Sequence, residues 1–156
     1  MNTTAAPEPT TAQLYQIFIK AAPEAIWDAV TKPEYSELYF FGSRVETTGE
    51  VGAPFRYHSP DGASLWADES VVESKRPRRL VTGWRSLYDP DLVDEPSSRV
   101  SWEIEPQDGG FALVTLTHDQ LENSPGTAAN VAGVGWMMVL SGLKSVLETG
   151  SGLAGS

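Results

Sequence analysis

Six extended segments followed by one long amphipathic segment constrain the fold of this chain more than any other feature. Between residues 43 and 121, apolar and polar residues alternate with a period of two in six segments, separated by turn-forming residues. In the fifth segment, Val100, Trp102 and Ile104 alternate with serine and glutamate, so one strand face is apolar and the other solvated. We therefore expect an antiparallel meander with one face that must be covered. The segments are SRVETTG, APFRYHS, SLWADESVVES, RRLVTGWRSL, SRVSWEIE and FALVTLTHDQL.

The cover for that face follows near the C-terminal end. Residues 130–148 place their apolar side chains on one helical stripe, with Ser141, Lys144 and Glu148 on the opposite side. A single helix of this length is about 28 Å long, enough to cross a sheet of this size. Gly150 is expected to end it. The stripe consists of Ala132, Trp136, Val139, Leu140, Leu143, Val146 and Leu147.

The segment before the meander predicts one strand and two short helices. Residues 14–20 are rich in aromatic and β-branched residues and read as a strand. Pro23 is suited to the first position of a helix. Pro33 restricts the residue before it, so the first helix must end at Lys32 and a second must start afresh, running to about Phe41.

Size and composition predict one domain and exclude several classes of function. With 156 residues, 40% of them hydrophobic, the chain can build one core; we assign it to residues 13–150, with a disordered tail at 1–12 and a flexible tail at 151–156. A formal charge of −10 disfavours nucleic acid. We expect no membrane insertion and a cytoplasmic location, because the sequence has no long apolar run and no apolar leader at its start.

Metal and cysteine chemistry are not expected either. The sequence contains no cysteine, which removes disulfides and thiolate catalysis. Its two histidines, His58 and His118, are far apart and lack a spaced pair of carboxylates, so we predict no metal site and no cofactor.

The order of one strand, two short helices, six strands and a long helix resembles the helix-grip fold of the START and Bet v 1-like superfamily. More narrowly, the chain resembles the branch named after the activator of Hsp90 ATPase homologue 1. The resemblance implies an α+β fold in which a curved antiparallel sheet of about seven strands wraps around the C-terminal helix, and two short helices close one end. It is carried by IKAAPEAIWDAVTKPEYSELYF, RPRRLVTGW, SRVSWEIEPQDGGFALVTLTHDQL and GWMMVLSGLKSVLETG.

A fold of this kind implies an apolar cavity between the sheet and the C-terminal helix. We therefore expect a small-molecule binding protein, monomeric or weakly dimeric, that holds an aromatic or lipid-like ligand there. The alternative in which the tryptophans form a solid core without a cavity stays open at this point. The candidate ligand-binding residues are Tyr39, Phe40, Phe55, Tyr57, Trp84, Trp102, His118, Trp136, Leu140 and Leu143.

His118 decides between two kinds of function. Its position in the last strand puts it on the same face as Val114 and Leu116, inside an apolar environment. There it is either a core histidine with satisfied hydrogen bonds or a group that orients a ligand, and it is the one weak candidate for a catalytic base.

Two alternative functions stay open. One is an enzyme similar to polyketide cyclases, aromatases or hydrolases, and the other is a protein-interaction or stress-related module acting through its acidic surface.

Overall fold

The computed structural model describes residues 12–132 and 134–153. Within them the chain forms seven strands and four helices. The elements are β1 (Ala12–Ile19), α1 (Pro23–Thr31), α2 (Pro33–Tyr39), β2 (Arg44–Glu46), β3 (Pro54–His58), β4 (Leu65–Lys75), β5 (Arg79–Trp84), β6 (Ser98–Gln107), β7 (Phe111–Asp119), α3 (Pro125–Ala132) and α4 (Gly135–Thr149).

All strand pairs are antiparallel and join into one sheet. The strand order is β1-β7-β6-β5-β4-β3-β2, so the first strand pairs with the last. Alternate residues of β6 and β7 are buried, which places Trp102 opposite Leu116 and Val100 opposite His118 on the covered face. This arrangement is the predicted helix-grip fold, and the meander inferred from the period-two pattern is confirmed.

The two short helices begin and end where the prolines require. α1 starts at Pro23, and Lys32 adopts an extended backbone conformation with ψ 136° directly before Pro33. The buried Ser36 hydroxyl then ties α2 to β2: it donates to the Ser43 carbonyl at 2.8 Å and accepts from the Val45 amide at 2.9 Å. These contacts hold the end of α2 against the sheet.

The C-terminal region differs from the prediction of one helix over residues 130–148. α3 and α4 are separate helices that meet at 43°. The sequence at this junction has a glycine at position 133 and another at the first position of α4, Gly135; because glycine is a weak helix former, continuation of one straight helix is unfavourable there. The predicted end is confirmed: Gly150 is left-handed, with φ 86°, and its amide donates to the Val146 carbonyl.

α4 lies across the covered face of the sheet. Its apolar residues Val139, Leu143 and Val146 are buried, and Lys144 donates from Nζ to the Phe18 carbonyl of β1 at 2.7 Å. Among the described residues no single helix is long and apolar enough to cross a membrane, although α3 and α4 taken together have the length and composition.

The predicted tails fall mostly outside the described residues. Residues 1–11 and 154–156 are not described, whereas Ala12 already belongs to β1. Ser151 accepts a hydrogen bond from the Ser145 hydroxyl at 2.6 Å, and a Cβ at Gly152 would lie 2.3 Å from the Leu38 carbonyl oxygen. The last turn is therefore packed against α2 and α4, and a flexible tail stays a prediction for residues 154–156.

Candidate functional site

A cavity of about 390 Å³ lies between the start of α4, α3, the end of α2 and strands β3 to β5. Its volume is within the range of small-molecule sites. We call it the aromatic cavity, because seven of the twelve residues that line it carry an aromatic ring. The lining residues are Phe40, Phe41, Tyr57, Trp66, Trp84, Tyr88, Asn130, Val131, Val134, Gly135, Trp136 and Val139.

Four rings from four separate parts of the chain form its inner wall. Trp84 of β5 and Trp136 of α4 lie with ring centroids 5.5 Å apart. Phe40, at the end of α2, is 6.0 Å from Trp136 and stacks on Tyr57 of β3 at 4.2 Å. Because these rings meet at angles from 19° to 83°, they offer both faces and edges to a ligand.

The mouth of the aromatic cavity is apolar and partly exposed. Phe41, at φ 54° after the end of α2, is 51% exposed, and Val134, just before α4, is 66% exposed. Tyr88 packs edge-on against Trp66 and donates a short hydrogen bond from its hydroxyl to Asn130 Oδ1 of α3. The segment that carries Tyr88, residues 85–97, therefore forms one side of the opening.

Hydrogen bonds to Glu95 connect residues 85–97 to the start of α3. The Glu95 carboxylate accepts hydrogen bonds from the Gly126 and Thr127 amides, at 2.9 and 2.7 Å, and from the Thr127 hydroxyl at 2.7 Å. A carboxylate at this position caps the first turn of a helix and interacts favourably with its dipole. Leu92 is buried beneath this turn, where a Cβ at Gly126 would lie 2.6 Å from its Cδ2.

His118 is a fully buried histidine whose two ring nitrogens both have partners. Trp136 donates from Nε1 to His118 Nδ1 at 3.1 Å, and Ser98 Oγ lies 2.7 Å from His118 Nε2. Since an indole can only donate, Nδ1 carries the lone pair and Nε2 carries the proton. Ser98 in turn donates to the Trp84 carbonyl at 3.2 Å. His118 thus connects the two tryptophans of the inner wall from behind.

Burial sets the protonation states around the aromatic cavity. Desolvation lowers the pKa of His118 to about 4, so the ring is neutral near pH 7. Burial also raises the pKa of Tyr57 far above its ordinary value, and that of Tyr88, where the nearby Asp89 carboxylate adds to the effect. No aspartate, glutamate, histidine, lysine or arginine is among the described residues that line the cavity.

Tyr57 lines the cavity and carries a hydroxyl that has no hydrogen-bond partner among the described residues. Its side chain is 2% exposed, and its hydroxyl makes no hydrogen bond with any residue in the described part of the chain. By contrast, the hydroxyl of the neighbouring Tyr39 donates to the Ala29 carbonyl at 2.7 Å. The Tyr57 hydroxyl therefore has the capacity to bind a polar atom of a ligand.

Four of the ten candidate residues line the aromatic cavity: Phe40, Tyr57, Trp84 and Trp136. The other six are buried in the core behind its walls. On α4 the reason is helical geometry, because the cavity faces only the first turns and the stripe continues past it. The six residues in the core are Tyr39, Phe55, Trp102, His118, Leu140 and Leu143.

Sequence reasoning missed eight lining residues. Phe41 and Trp66 are visible as aromatic residues, but Trp66 alternates with Leu65 and Ala67 along β4, which in a regular strand puts it on the opposite face. Tyr88 lies in an irregular segment that gives no periodic signal. The remaining five belong to α3 and its junction with α4, which a single straight helix cannot reproduce: Asn130, Val131, Val134, Gly135 and Val139.

The sequence profile described as activator of Hsp90 ATPase homolog 1-like protein matches residues 20–148. A search of curated proteins finds no matching sequence.

Solved structures share the fold at low identity. MLL2253 from Mesorhizobium loti is 20% identical with a TM-score of 0.70, covering 88% of this chain and 96% of that protein. The Aha1 dimer from Colwellia psychrerythraea is 20% identical with a TM-score of 0.69, covering 90% and 98%. DynU16, a protein of the dynemicin biosynthetic locus, is 22% identical with a TM-score of 0.72, covering 92% of this chain and 49% of its own.

Proposed function

The chain belongs to the family of activator of Hsp90 ATPase homolog 1-like proteins, and from that premise we propose that it binds a small apolar ligand with aromatic character in the aromatic cavity. The observation that carries the proposal is the cavity itself, with its volume of about 390 Å³ and seven aromatic side chains in its lining. Because the likeness to solved structures is one of fold alone, the proposal does not depend on what those proteins do.

Burial of apolar surface supplies most of the affinity. A ligand that hides roughly 200 Å² of apolar surface gains about 5 kcal/mol before the cost of its lost motion is subtracted. The rings of the inner wall are held in place by packing and by the hydrogen bonds of His118, so they need little rearrangement on binding. The Tyr57 hydroxyl, which bonds to no described residue, then orients a ligand that carries one polar atom.

Two observations favour binding over general acid–base catalysis. The lone pair of His118 already accepts the Trp136 hydrogen bond, so the histidine offers no free base to the cavity. The ionisable groups that line the cavity are the tyrosines Tyr57 and Tyr88, and burial raises the pKa of both away from neutrality. The enzyme alternative therefore lacks a base in the described lining.

Gly135 offers a way to block the cavity. It lies four residues before Val139 on the same face of α4, and a Cβ there would have only the Asn130 carbonyl oxygen nearby, at 3.8 Å. Gly135→Leu therefore fills the cavity, and Gly135→Ala is the matched control that leaves most of it open.

Native mass spectrometry of the protein purified from its own host tests the proposal. We expect a persistent mass increment on the wild type and on Gly135→Ala that is absent from Gly135→Leu. An increment of equal size on all three proteins would place the bound molecule elsewhere. Apo protein that also fails to bind a broad panel of aromatic and lipid ligands would contradict the proposal outright.

A further inference from the structure

The polar atoms at the aromatic cavity are suited to a positive rather than a negative ligand. No basic side chain is among the described residues that line it. Oxygen atoms are available instead, in the hydroxyls of Tyr57 and Tyr88 and the amide of Asn130. Aromatic faces attract cations through their quadrupole and repel anions, and seven aromatic side chains belong to the lining.

The segment at the mouth adds negative charge. We call residues 85–97 the acidic loop, because it contains Asp89, Asp91, Asp94 and Glu95 against one arginine. Glu95 is engaged at the start of α3, as described above. The three aspartates make no ion pair with any residue in the ranges that the structure describes.

One charge of the acidic loop, that of Asp89, acts on a residue that lines the cavity. Asp89 follows Tyr88 directly, and its carboxylate helps to raise the pKa of the Tyr88 hydroxyl at the mouth, after the larger effect of burial. The single basic residue of the loop, Arg85, acts electrostatically on Glu69 of β4. The formal charge of −10 on the whole chain has the same sign, so it attracts cations and repels anions at long range.

We infer that the aromatic cavity selects ligands in which an apolar or aromatic body carries a soft cation, such as a quaternary or aryl ammonium group lying against the rings beside the acidic loop. This inference rests on the proposed function, since it specifies the chemistry of the same site. A quaternary ammonium is suited to it because its charge is spread over several methyl groups, which lowers the cost of leaving water.

Three probes of matched shape test the inference. Benzyltrimethylammonium is a cation, neopentylbenzene is its neutral isostere, and phenylmethanesulfonate is an anion of similar size. Calorimetry gives the dissociation constants, and the indole N–H signals of Trp66, Trp84 and Trp136 in ¹⁵N spectra report binding in the cavity. We expect the cation to bind about tenfold more tightly than the neutral isostere at low salt, and the anion to bind most weakly.

Two pairs of charge-removing substitutions distinguish the effect of the acidic loop on binding from the effect of the net charge. Asp89→Asn/Asp91→Asn keeps the Asp89 side-chain oxygen that accepts the residue 91 amide, while it removes two charges at the mouth. Glu105→Gln/Asp108→Asn removes two charges near the far end of β6, which begins at Ser98 and is about 30 Å long. The first pair should lower the affinity for the cation several-fold and leave that for neopentylbenzene unchanged; the second should leave both within twofold of wild type.

The outcomes distinguish this inference from the proposed function. Added salt should weaken binding of the cation alone, because salt screens exposed charges. Equal affinities for cation and isostere, or tighter binding of the anion, would overturn the inference and leave ligand binding intact. Absence of binding by all three probes would also overturn it, while the mass-spectrometric comparison with Gly135→Leu judges the proposed function independently.

Discussion

Trp136 of α4 donates a hydrogen bond of 3.1 Å to His118 of β7, and this bond fixes the tautomer of a histidine that is fully buried. The imidazole ring of His118 contacts Ser98 through its other nitrogen, so strands β6 and β7 and helix α4 meet in one polar network inside an apolar core. The histidine supports the wall of the aromatic cavity rather than lining it, which gives it a positioning role and a measurable pH signature.

The protein should become less stable as the pH is lowered through the range in which His118 titrates in the unfolded chain. Its pKa is about 4 in the folded protein and near 6.5 when unfolded, so between these values the unfolded state binds the extra proton. The free energy of unfolding should therefore decrease by about 2 kcal/mol from pH 7 to pH 5. Denaturant titrations across this range measure the decrease.

His118→Phe provides the comparison. It removes the titrating group, so the dependence on pH between 5 and 7 should become much shallower, while the stability at pH 7 drops because Ser98 and Trp136 lose a buried partner. A pH dependence unchanged from wild type would show that another group titrates there.

Two glycines of α4 should respond in opposite ways to the same substitution. A Cβ at Gly142 would lie 3.0 Å from Tyr39 Cβ and 3.3 Å from Tyr39 Cα, so Gly142→Ala forces α2 and α4 apart and should cost about 1–3 kcal/mol. In Gly135→Ala the added Cβ makes an ordinary van der Waals contact with the Asn130 carbonyl oxygen at 3.8 Å, so the substitution should be neutral or stabilising by up to about 1 kcal/mol. Thermal unfolding of both variants measures these changes in stability. Equal changes in the two variants would contradict the prediction.

The buried tyrosines Tyr39 and Tyr57 should also differ in how much their substitution by phenylalanine changes the stability. Tyr39→Phe removes a hydroxyl that donates to the Ala29 carbonyl at 2.7 Å and leaves that carbonyl without its partner, so we expect a loss of about 1 kcal/mol or more. Tyr57→Phe removes a hydroxyl that bonds to no described residue, so stability should stay within about 0.5 kcal/mol of wild type or rise. A larger loss at Tyr57 than at Tyr39 would mean that its hydroxyl has a structural partner.

Glu95 should control the local stability of α3. Glu95→Ala removes the acceptor for the Gly126 and Thr127 amides, and loss of such a cap typically costs about 1 kcal/mol. Hydrogen exchange of the amides in α3 should become faster, while that of β6 and β7 should not change. Equal acceleration throughout the sheet would indicate global destabilisation instead.

The sheet could be predicted from the sequence because its signal is local and repeated. Alternation along each strand depends on burial of one face, and the prolines at 23 and 33 act on adjacent backbone. The cavity is harder to predict from the sequence, because it depends on a bend between α3 and α4 and on the irregular residues 85–97. Neither feature produces a periodic pattern of apolar residues. Phe40, Tyr57, Trp84 and Trp136 can be predicted as large aromatic residues at the end of the second short helix, on the sheet and on the C-terminal helix, whereas Tyr88 and Asn130 require the tertiary fold.

The central claim is that the space between α4 and the sheet is open and accepts a ligand, and titration with naphthalene followed by the indole N–H signals tests it most directly. We predict saturable, one-to-one changes at Trp66, Trp84 and Trp136, with Trp27 as an unaffected reference because it does not line the cavity. These changes should persist in Gly135→Ala and disappear in Gly135→Leu. Changes of equal size at Trp27, or undiminished binding by Gly135→Leu, would contradict the account.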